Sequence, residues 1–206
     1  MIIDPAQQST KDNYKLMAGS IVPRPIAFVS TKSKDGFDNL APFSFFNGVC
    51  SNPPTIMFCP ARRGRNGEIK DTLKNVIDTG VFALNIVSES FAQEMVSTAM
   101  EFPPEISEFD ETGLTPVPCE KIDAMRLKES KITFECKLNQ IIEIGDGSPG
   151  SGAIVLGTIV LFHVADEIYD NGRIDLEKLQ PIGRMAGNIY IRTTDQFEII
   201  QKTKPE

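Results

Sequence analysis

Short apolar segments, each bounded by turn-forming residues, are the feature that most limits how this chain can fold. Most of their residues are β-branched or aromatic, and Asp35-Gly36, between the first two segments, is typical of a hairpin turn. The segments are residues 25–31, 40–46, 55–59, 81–87, 132–144, 153–168, 190–192 and 197–201. Many short strands and few helices predict a mainly β protein, a β-barrel with flanking helices, rather than a parallel sheet.

Two segments between these strands show helical spacing. Residues 71–79 place Leu73 and Val76 on one face, and Gly80 follows where a helix C-cap is expected. Residues 88–100 carry a second apolar stripe, which we interpret as core packing rather than a ligand site. The members of that stripe are Phe91, Met95, Val96 and Ala99.

Two connecting stretches need a separate interpretation. Residues 101–120 are rich in Pro, Glu and Phe without a period, and we expect an ordered excursion that serves as a lid or as a partner-docking surface. The glycine-rich run at 145–152 lacks the Lys-Ser/Thr ending of a phosphate-binding P-loop, and no helix pattern follows it. It therefore predicts a hairpin connection.

Composition excludes several classes of protein. A chain of 206 residues fits one domain, residues 1–206, and its net charge of -7 argues against a broad nucleic-acid surface. No secretory signal and no apolar run of membrane-spanning length is visible, so we expect a soluble, cytoplasmic protein without a membrane partner. The single His163 and the absence of a C-x-x-C pair predict no metal site. The cysteines, expected to be buried free thiols, are Cys50, Cys59, Cys119 and Cys136.

A cluster of cations precedes the predicted helix at 71–79. A helix N-terminus offers unpaired N–H groups and a partial positive charge, and Lys70, Asp71 and Thr72 stand at this one. Together with the cations, that is an arrangement suited to a phosphate monoester. The alternative is a solvated charged loop in which Asp71 is the N-cap. The cations are Arg62, Arg63, Arg65 and Lys70.

A second stretch, at residues 39–47, places polar groups among small and aromatic residues at a strand end. A flat isoalloxazine ring requires an apolar slot of this kind. In this interpretation Ser44 forms a hydrogen bond to the ribityl chain or phosphate, and Asn47 contacts the ring. The alternative is that the aromatic residues are core and Asn47 caps a turn. The small and aromatic residues are Ala41, Pro42, Phe43, Phe45 and Phe46.

These stretches, in this order, resemble the flavin reductase family with an FMN-binding split barrel, particularly its flavoredoxin-like branch. The resemblance covers nearly the whole chain and rests on GSIVPRPIAFVST at 19–31, NLAPFSFFN at 39–47 with the later NPP, and KDTLKN at 70–75. RMAGNIY at 184–190 resembles the family's Arg-x-x-Gly-x-x-Tyr element, although Ala186 stands where relatives often carry glycine. The fold it implies is a split barrel of Greek-key type.

The resemblance also implies a homodimer with two FMN sites at the subunit interface. Ser30 or Thr31, Ser44 and the Lys70-Asp71-Thr72 element would gather around the phosphate and ribityl chain. Residues 41–47 would line the isoalloxazine. Arg184 and Gly187 would complete the pocket.

The expected activity is hydride transfer from NADH or NADPH to FMN, with electrons passed to an acceptor. The cofactor carries this chemistry, so few catalytic side chains are needed. His163 lies on a predicted strand, where it either reaches the active-site mouth or is a structural residue. The alternative function is an FMN-binding electron carrier that a redox partner protein reduces. Oxidation of a phosphorylated pyridoxamine is disfavoured, because its hallmark residues are not recognisable.

Overall fold

The computed structural model describes residues 1–200, and a seven-stranded antiparallel sheet is its centre. The sheet strands are β1 (Ala27–Lys32), β2 (Asp38–Phe43), β3 (Phe46–Ser51), β4 (Pro54–Phe58), β5 (Val81–Ile86), β8 (Ile132–Ile144) and β9 (Gly152–Val164). Their spatial order is β2-β1-β5-β8-β9-β4-β3. The mainly β prediction is confirmed.

The connection between β2 and β3 shows that this sheet curls. The two strands lie at opposite ends of the spatial order, yet only Ser44 and Phe45 separate them in the chain. Consecutive Cα atoms are about 3.8 Å apart, so the ends of the sheet must approach each other here. The Phe45 carbonyl accepts a hydrogen bond from Cys59 N at 2.8 Å, which ties the turn to the end of β4.

Helices and small two-stranded sheets surround the main sheet. The helices are α1 (Thr10–Ser20), α2 (Asp71–Thr79), α3 (Ala92–Ser97), α4 (Glu108–Thr112) and α5 (Leu176–Leu179). The small sheets pair β6 (Pro116–Pro118) with β7 (Met125–Leu127), β10 (Tyr169–Asp170) with β11 (Arg173–Ile174), and β12 (Ile182–Arg184) with β13 (Tyr190–Arg192). The stretch at 101–120 is thus an ordered excursion that contains α4 and β6.

Several predicted elements match the structure closely. Helix α2 has the predicted bounds, and Gly80 ends it in the left-handed conformation with φ 72°. The run at 145–152 joins β8 to β9 as a hairpin connection. Residues 190–192 form β13 as expected.

Other predicted elements were wrong in extent. Residues 40–46 are not one strand, because the chain turns at Ser44 and Phe45 to change from one end of the sheet to the other. The helix predicted at 88–100 is a 3-10 turn, Glu89–Phe91, followed by α3; Phe91 has φ -130°, outside the helical region. Strand β9 ends at Val164, before a 3-10 turn at Asp166–Ile168. Residues 197–200 form no strand, and Gln201 lies outside the described residues.

The two largest of four clusters of buried apolar residues among residues 1–200 form most of the core. The first fills the inside of the curled sheet, and the second lies beneath α3 and α4. The first includes Phe43, Phe58, Phe82, Cys136 and Val155. The second includes Phe28, Phe91, Met95, Phe109 and Leu127. Gly157 permits close packing in the first cluster, because a Cβ there would lie 2.3 Å from Phe82 Cζ.

The cysteines are free, but the prediction that all are buried was wrong. Cys136 is buried, Cys59 and Cys119 are half-buried, and Cys50 is exposed on the end strand β3. Burial raises the pKa of Cys119 to about 12 and also raises the pKa values of Cys59 and Cys136. These three thiols are therefore poor nucleophiles at neutral pH.

Candidate functional site

The turn between β2 and β3 forms the first part of the candidate site. Phe43 is buried and faces the core, whereas its neighbours Ala41, Pro42, Ser44 and Phe45 are half-buried. Ala41 and Pro42 line one open depression on the surface, and Pro42 and Ser44 line another. A ligand can therefore reach the turn without rearrangement of the core.

Arg24 holds this turn in place. Its side chain is buried, with the residue only 3% exposed, and Nε donates a hydrogen bond to Ser44 Oγ at 3.3 Å. The guanidinium carbon lies 5.7 Å from the centre of the Phe45 ring. The other two nitrogens donate to three backbone carbonyls, those of Ala18 (2.6 Å), Ile21 (2.6 Å) and Met185 (2.9 Å).

The start of helix α2 forms the second part of the site, next to the turn. Lys70 Nζ lies 5.6 Å from the centre of the Phe43 ring, so the two stretches singled out in the sequence come together. Lys70 occupies the N-cap position, and no side chain within residues 1–200 caps the helix. Asp71 is therefore not the N-cap. In the same part of the chain, the first N–H groups of α2 have no side-chain acceptor, and such groups favour an anion.

Charged side chains surround Lys70. Arg63 donates to Asp71 Oδ2 at 2.6 Å and also lies 3.3 Å from Glu101 Oε1. Burial and the nearby Arg63 lower the pKa of Lys70, while Glu101 and Asp71 act in the opposite direction. Lys70 and Arg63 also line the same small depression, where a single anion would meet both.

The C-terminal Arg-x-x-Gly-x-x-Tyr element forms a third part. The backbones of Arg24 and Arg184 exchange two hydrogen bonds, at 3.0 and 2.8 Å. The Arg184 guanidinium lies 4.5 Å from the centre of the Tyr190 ring, and it donates to the Tyr190 hydroxyl and to the Gly187 carbonyl. Gly187 has φ 59°, a left-handed conformation that favours glycine.

These three parts line three adjoining depressions that share lining residues, and we call them together the groove. A small depression of about 50 Å³ lies over Lys70 and Pro42, and a larger one of about 300 Å³ lies over Pro42 and Ser44. The second depression shares Arg184 and Tyr190 with a third, of about 430 Å³. The groove therefore runs from the start of α2, past the β2–β3 turn, to the C-terminal element.

Several groove residues were not predicted as site residues. Val96 and Ala99 of the second helical stripe line the groove, although we interpreted that stripe as core. Met95 is buried as expected and still contributes to the lining. No motif in the sequence pointed to Tyr14 on α1. Its ring centroid lies 6.5 Å from that of Phe45, and this contact joins distant parts of the chain.

Six predicted cofactor-binding residues are not among those that line the groove, namely Ser30, Thr31, Phe43, Phe45, Asn47 and Gly187. Ser30 is fully buried and donates to the Met125 carbonyl at 2.6 Å. Thr31 is 1% exposed and accepts from Asn75 Nδ2 at 3.1 Å. The expectation that either hydroxyl contacts a phosphate therefore conflicts with their burial. Asn47 is exposed on β3, where its Oδ1 accepts from Gly48 N at 2.8 Å. Thr72 lines the groove, but its hydroxyl already donates to Asn39 Oδ1 at 2.8 Å.

His163 lies apart from the other candidates. It is on β9, and its Nε2 is 2.6 Å from Glu135 Oε1, a fully buried carboxylate on β8. Burial opposes the ionisation of Glu135, but hydrogen bonds from the Glu120 and Lys121 N–H groups and from His163 hold its pKa below the usual value. His163 is thus a structural partner of a buried acid, as the second interpretation of the sequence expected.

Replacing His163 with alanine is expected to lower stability without changing the candidate site. Losing one partner of the buried Glu135 carboxylate should cost about 1–3 kcal/mol. Because the folded-state pKa of Glu135 is lowered, its contribution is present above the unfolded pKa and is lost as pH falls through the folded value. Urea unfolding at pH 7 and at about pH 3 should therefore show a larger loss of unfolding free energy at pH 7. An equal loss at both pH values would contradict this.

Metal and membrane features are not found among residues 1–200. That part of the chain brings no three His, Cys, Asp or Glu side chains together as a metal site. Within the same range, every helix is too short or too polar to cross a membrane.

Comparison with known proteins gives the family. The model of the flavin reductase like domain matches residues 18–178. A protein of Aquifex aeolicus is 46% identical over 187 residues, covering 90% of this chain and 92% of its own length. The chain therefore belongs to the flavin reductase-like family.

Solved structures agree with this assignment. Nitrilotriacetate monooxygenase component B from Bacillus cereus superimposes with a TM-score of 0.92 at 43% identity, covering 97% of this chain and 98% of that one. The 2-nitrobenzoate 2-nitroreductase of Pseudomonas fluorescens superimposes with a TM-score of 0.88 at 33% identity, covering 100% of this chain and 98% of that one. Flavoredoxin of Desulfovibrio vulgaris shares the fold, with a TM-score of 0.71 at 24% identity and coverage of 89% and 92%.

Proposed function

We propose that this protein binds FMN in the groove and uses it to accept hydride from NADH or NADPH and to pass electrons to an acceptor. The observation that carries this proposal is the junction of Lys70 with Phe43. It places two cations and an uncapped helix N-terminus beside an open, partly apolar groove. The cations and the helix N-terminus suit the phosphate of FMN, and the partly apolar groove suits its flat ring.

The donors at the start of α2 fit the phosphate. Lys70 and Arg63 supply positive charge beside the first turn of α2, whose N–H groups have no side-chain acceptor within residues 1–200. Thr72 helps through its backbone rather than its hydroxyl, which Asn39 occupies. The donor set is thus provided by one loop and one helix end.

The groove beside the β2–β3 turn fits the ring. Pro42, Val96, Ala99 and Tyr190 supply apolar surface, and Ser44 supplies a hydroxyl that Arg24 orients. A bound flavin would carry out the chemistry, which is to accept hydride and pass on electrons. The protein would orient the flavin and exclude water. The further depression over Arg184 and Tyr190 leaves space for a nicotinamide next to the ring.

We further propose that the protein is a homodimer in which a second copy covers the exposed part of the barrel. Strand β3 is an end strand, and its residues from Asn47 to Ser51 are exposed. Val49 and Ile144 are 51% and 55% exposed, so a second copy would find apolar side chains to cover on these strands. This surface adjoins the β2–β3 turn, so a second copy would lie close to the flavin.

Two measurements test the function. The purified protein should show flavin absorbance or bind added FMN in a fluorescence titration, and anaerobic stopped-flow mixing with NADH or NADPH should then bleach the flavin band. A folded protein that stays colourless and refuses FMN would rule out the proposal. Bound FMN that both nucleotides leave oxidised would favour the alternative, an electron carrier reduced by a redox partner protein. Sedimentation equilibrium tests the dimer.

A further inference from the structure

The segment after α3 places a carboxylate against the cations of the proposed phosphate site. Residues 98–102 line the depression over Lys70, and Glu101 Oε1 lies 3.3 Å from Arg63 Nη1. The Arg63 side chain is only 16% exposed, whereas that of Glu101 is 55% exposed. Arg63 is therefore held in place, and Glu101 approaches it from the solvent side.

The two carboxylates on Arg63 differ in how firmly they are held. Asp71 lies in the first turn of α2 and accepts from Arg63 Nη2 at 2.6 Å, a short charge-assisted bond. Glu101 uses the other guanidinium nitrogen, at a longer distance and on a segment outside any helix or strand. Of the two, Glu101 is the partner that an incoming anion can displace.

We propose that Glu101 competes internally with the flavin phosphate for Arg63, and so keeps FMN exchangeable. This inference rests on the proposed function, and it adds how tightly the cofactor is held. A phosphate monoester and the Glu101 carboxylate need the same face of the guanidinium. Binding of the phosphate then breaks the Arg63–Glu101 pair and moves the carboxylate toward solvent.

The chain offers a matched pair of variants. Glu101→Gln removes the competing charge and keeps the size of the side chain. Glu105→Gln removes one charge from the same segment, at an exposed residue that forms no ion pair within residues 1–200. Riboflavin is the matched ligand, because it has the same ring and ribityl chain as FMN but no phosphate.

We expect Glu101→Gln to bind FMN about 3- to 10-fold more tightly than the wild type, with slower dissociation. The expected gain in affinity is modest because half-exposed ion pairs are weak. Removing the repulsion between the Glu101 carboxylate and the phosphate adds to the gain. Riboflavin affinity should change less than about twofold, and Glu105→Gln should bind both ligands as the wild type does. Fluorescence titration and stopped-flow release measure these constants at fixed ionic strength.

The possible results separate the two proposals. If the wild type binds FMN and Glu101→Gln binds it no more tightly, the competition proposal is wrong and the proposed function still stands. An equal gain for riboflavin, or the same gain in Glu105→Gln, also overturns it, because the effect would then not involve the phosphate at Arg63. If the folded wild type and both variants bind neither flavin, the proposed function fails and this inference fails with it.

Discussion

Lys70→Met is expected to weaken FMN binding by about 10- to 100-fold and to leave riboflavin binding nearly unchanged. A hydrogen bond to a charged group contributes about 1.5–3 kcal/mol, and each 1.4 kcal/mol is a factor of ten in affinity. Lys70 has no carboxylate bonded to its ammonium within residues 1–200, and its contact is with the Phe43 ring. Its charge is therefore available to a phosphate.

The matched control is Lys74→Met, one turn further along α2. Lys74 is 60% exposed and donates to Asp78 Oδ2 at 2.8 Å, away from the β2–β3 turn. Its removal should change FMN affinity by less than about threefold. Isothermal titration with FMN and with riboflavin measures all four constants. If Lys70→Met lost affinity equally for FMN and riboflavin, Lys70 would contact the ring rather than the phosphate. If it lost no affinity for either ligand, Lys70 would not belong to the site.

Local patterns predicted the elements of this site better than they predicted its contacts. Helix α2 was found with the right bounds, because its apolar spacing and the Gly80 cap are local signals. The proximity of Lys70 to Phe43 followed only from the family resemblance, since the residues belong to different elements. Spacing along the chain cannot show such a contact.

Ser30 and Thr31 show why the sequence does not place every candidate residue in the groove. Hydroxyls on a strand are equally compatible with a ligand and with a buried network, and the sequence does not distinguish the two. Here the Ser30 acceptor is Met125, 95 residues away, and the Thr31 donor is Asn75, 44 residues away. Glu101 lay in a stretch without a period, so its pairing with Arg63 was equally invisible.

Arg24 belongs to the same group of unpredicted contacts, and it connects the walls of the groove. Its partners lie on α1, in the β2–β3 turn and in the loop after β12, up to 161 residues away in the chain. The planar guanidinium can bond in several directions at once, which a lysine cannot reproduce. Arg24 therefore joins α1, the β2–β3 turn and the loop after β12.

Arg24→Met is expected to destabilise the protein by about 3 kcal/mol or more, because it leaves several partly or fully buried acceptors unpaired at about 1–3 kcal/mol each. For a chain of this length, the melting temperature should fall by about 6–12 °C. Arg24→Lys should lie between the wild type and Arg24→Met in differential scanning calorimetry. A change below about 1 kcal/mol would show that water replaces these bonds.

The same variant should also bind FMN less tightly, since Ser44 and the loop at Met185 lose their common anchor. Loss of stability alone does not explain such an effect, and His163→Ala provides the comparison. That variant is destabilised at the Glu135 contact, away from the groove, and should bind FMN as the wild type does. If the two variants bind FMN equally well while both are folded, Arg24 stabilises the barrel without shaping the site.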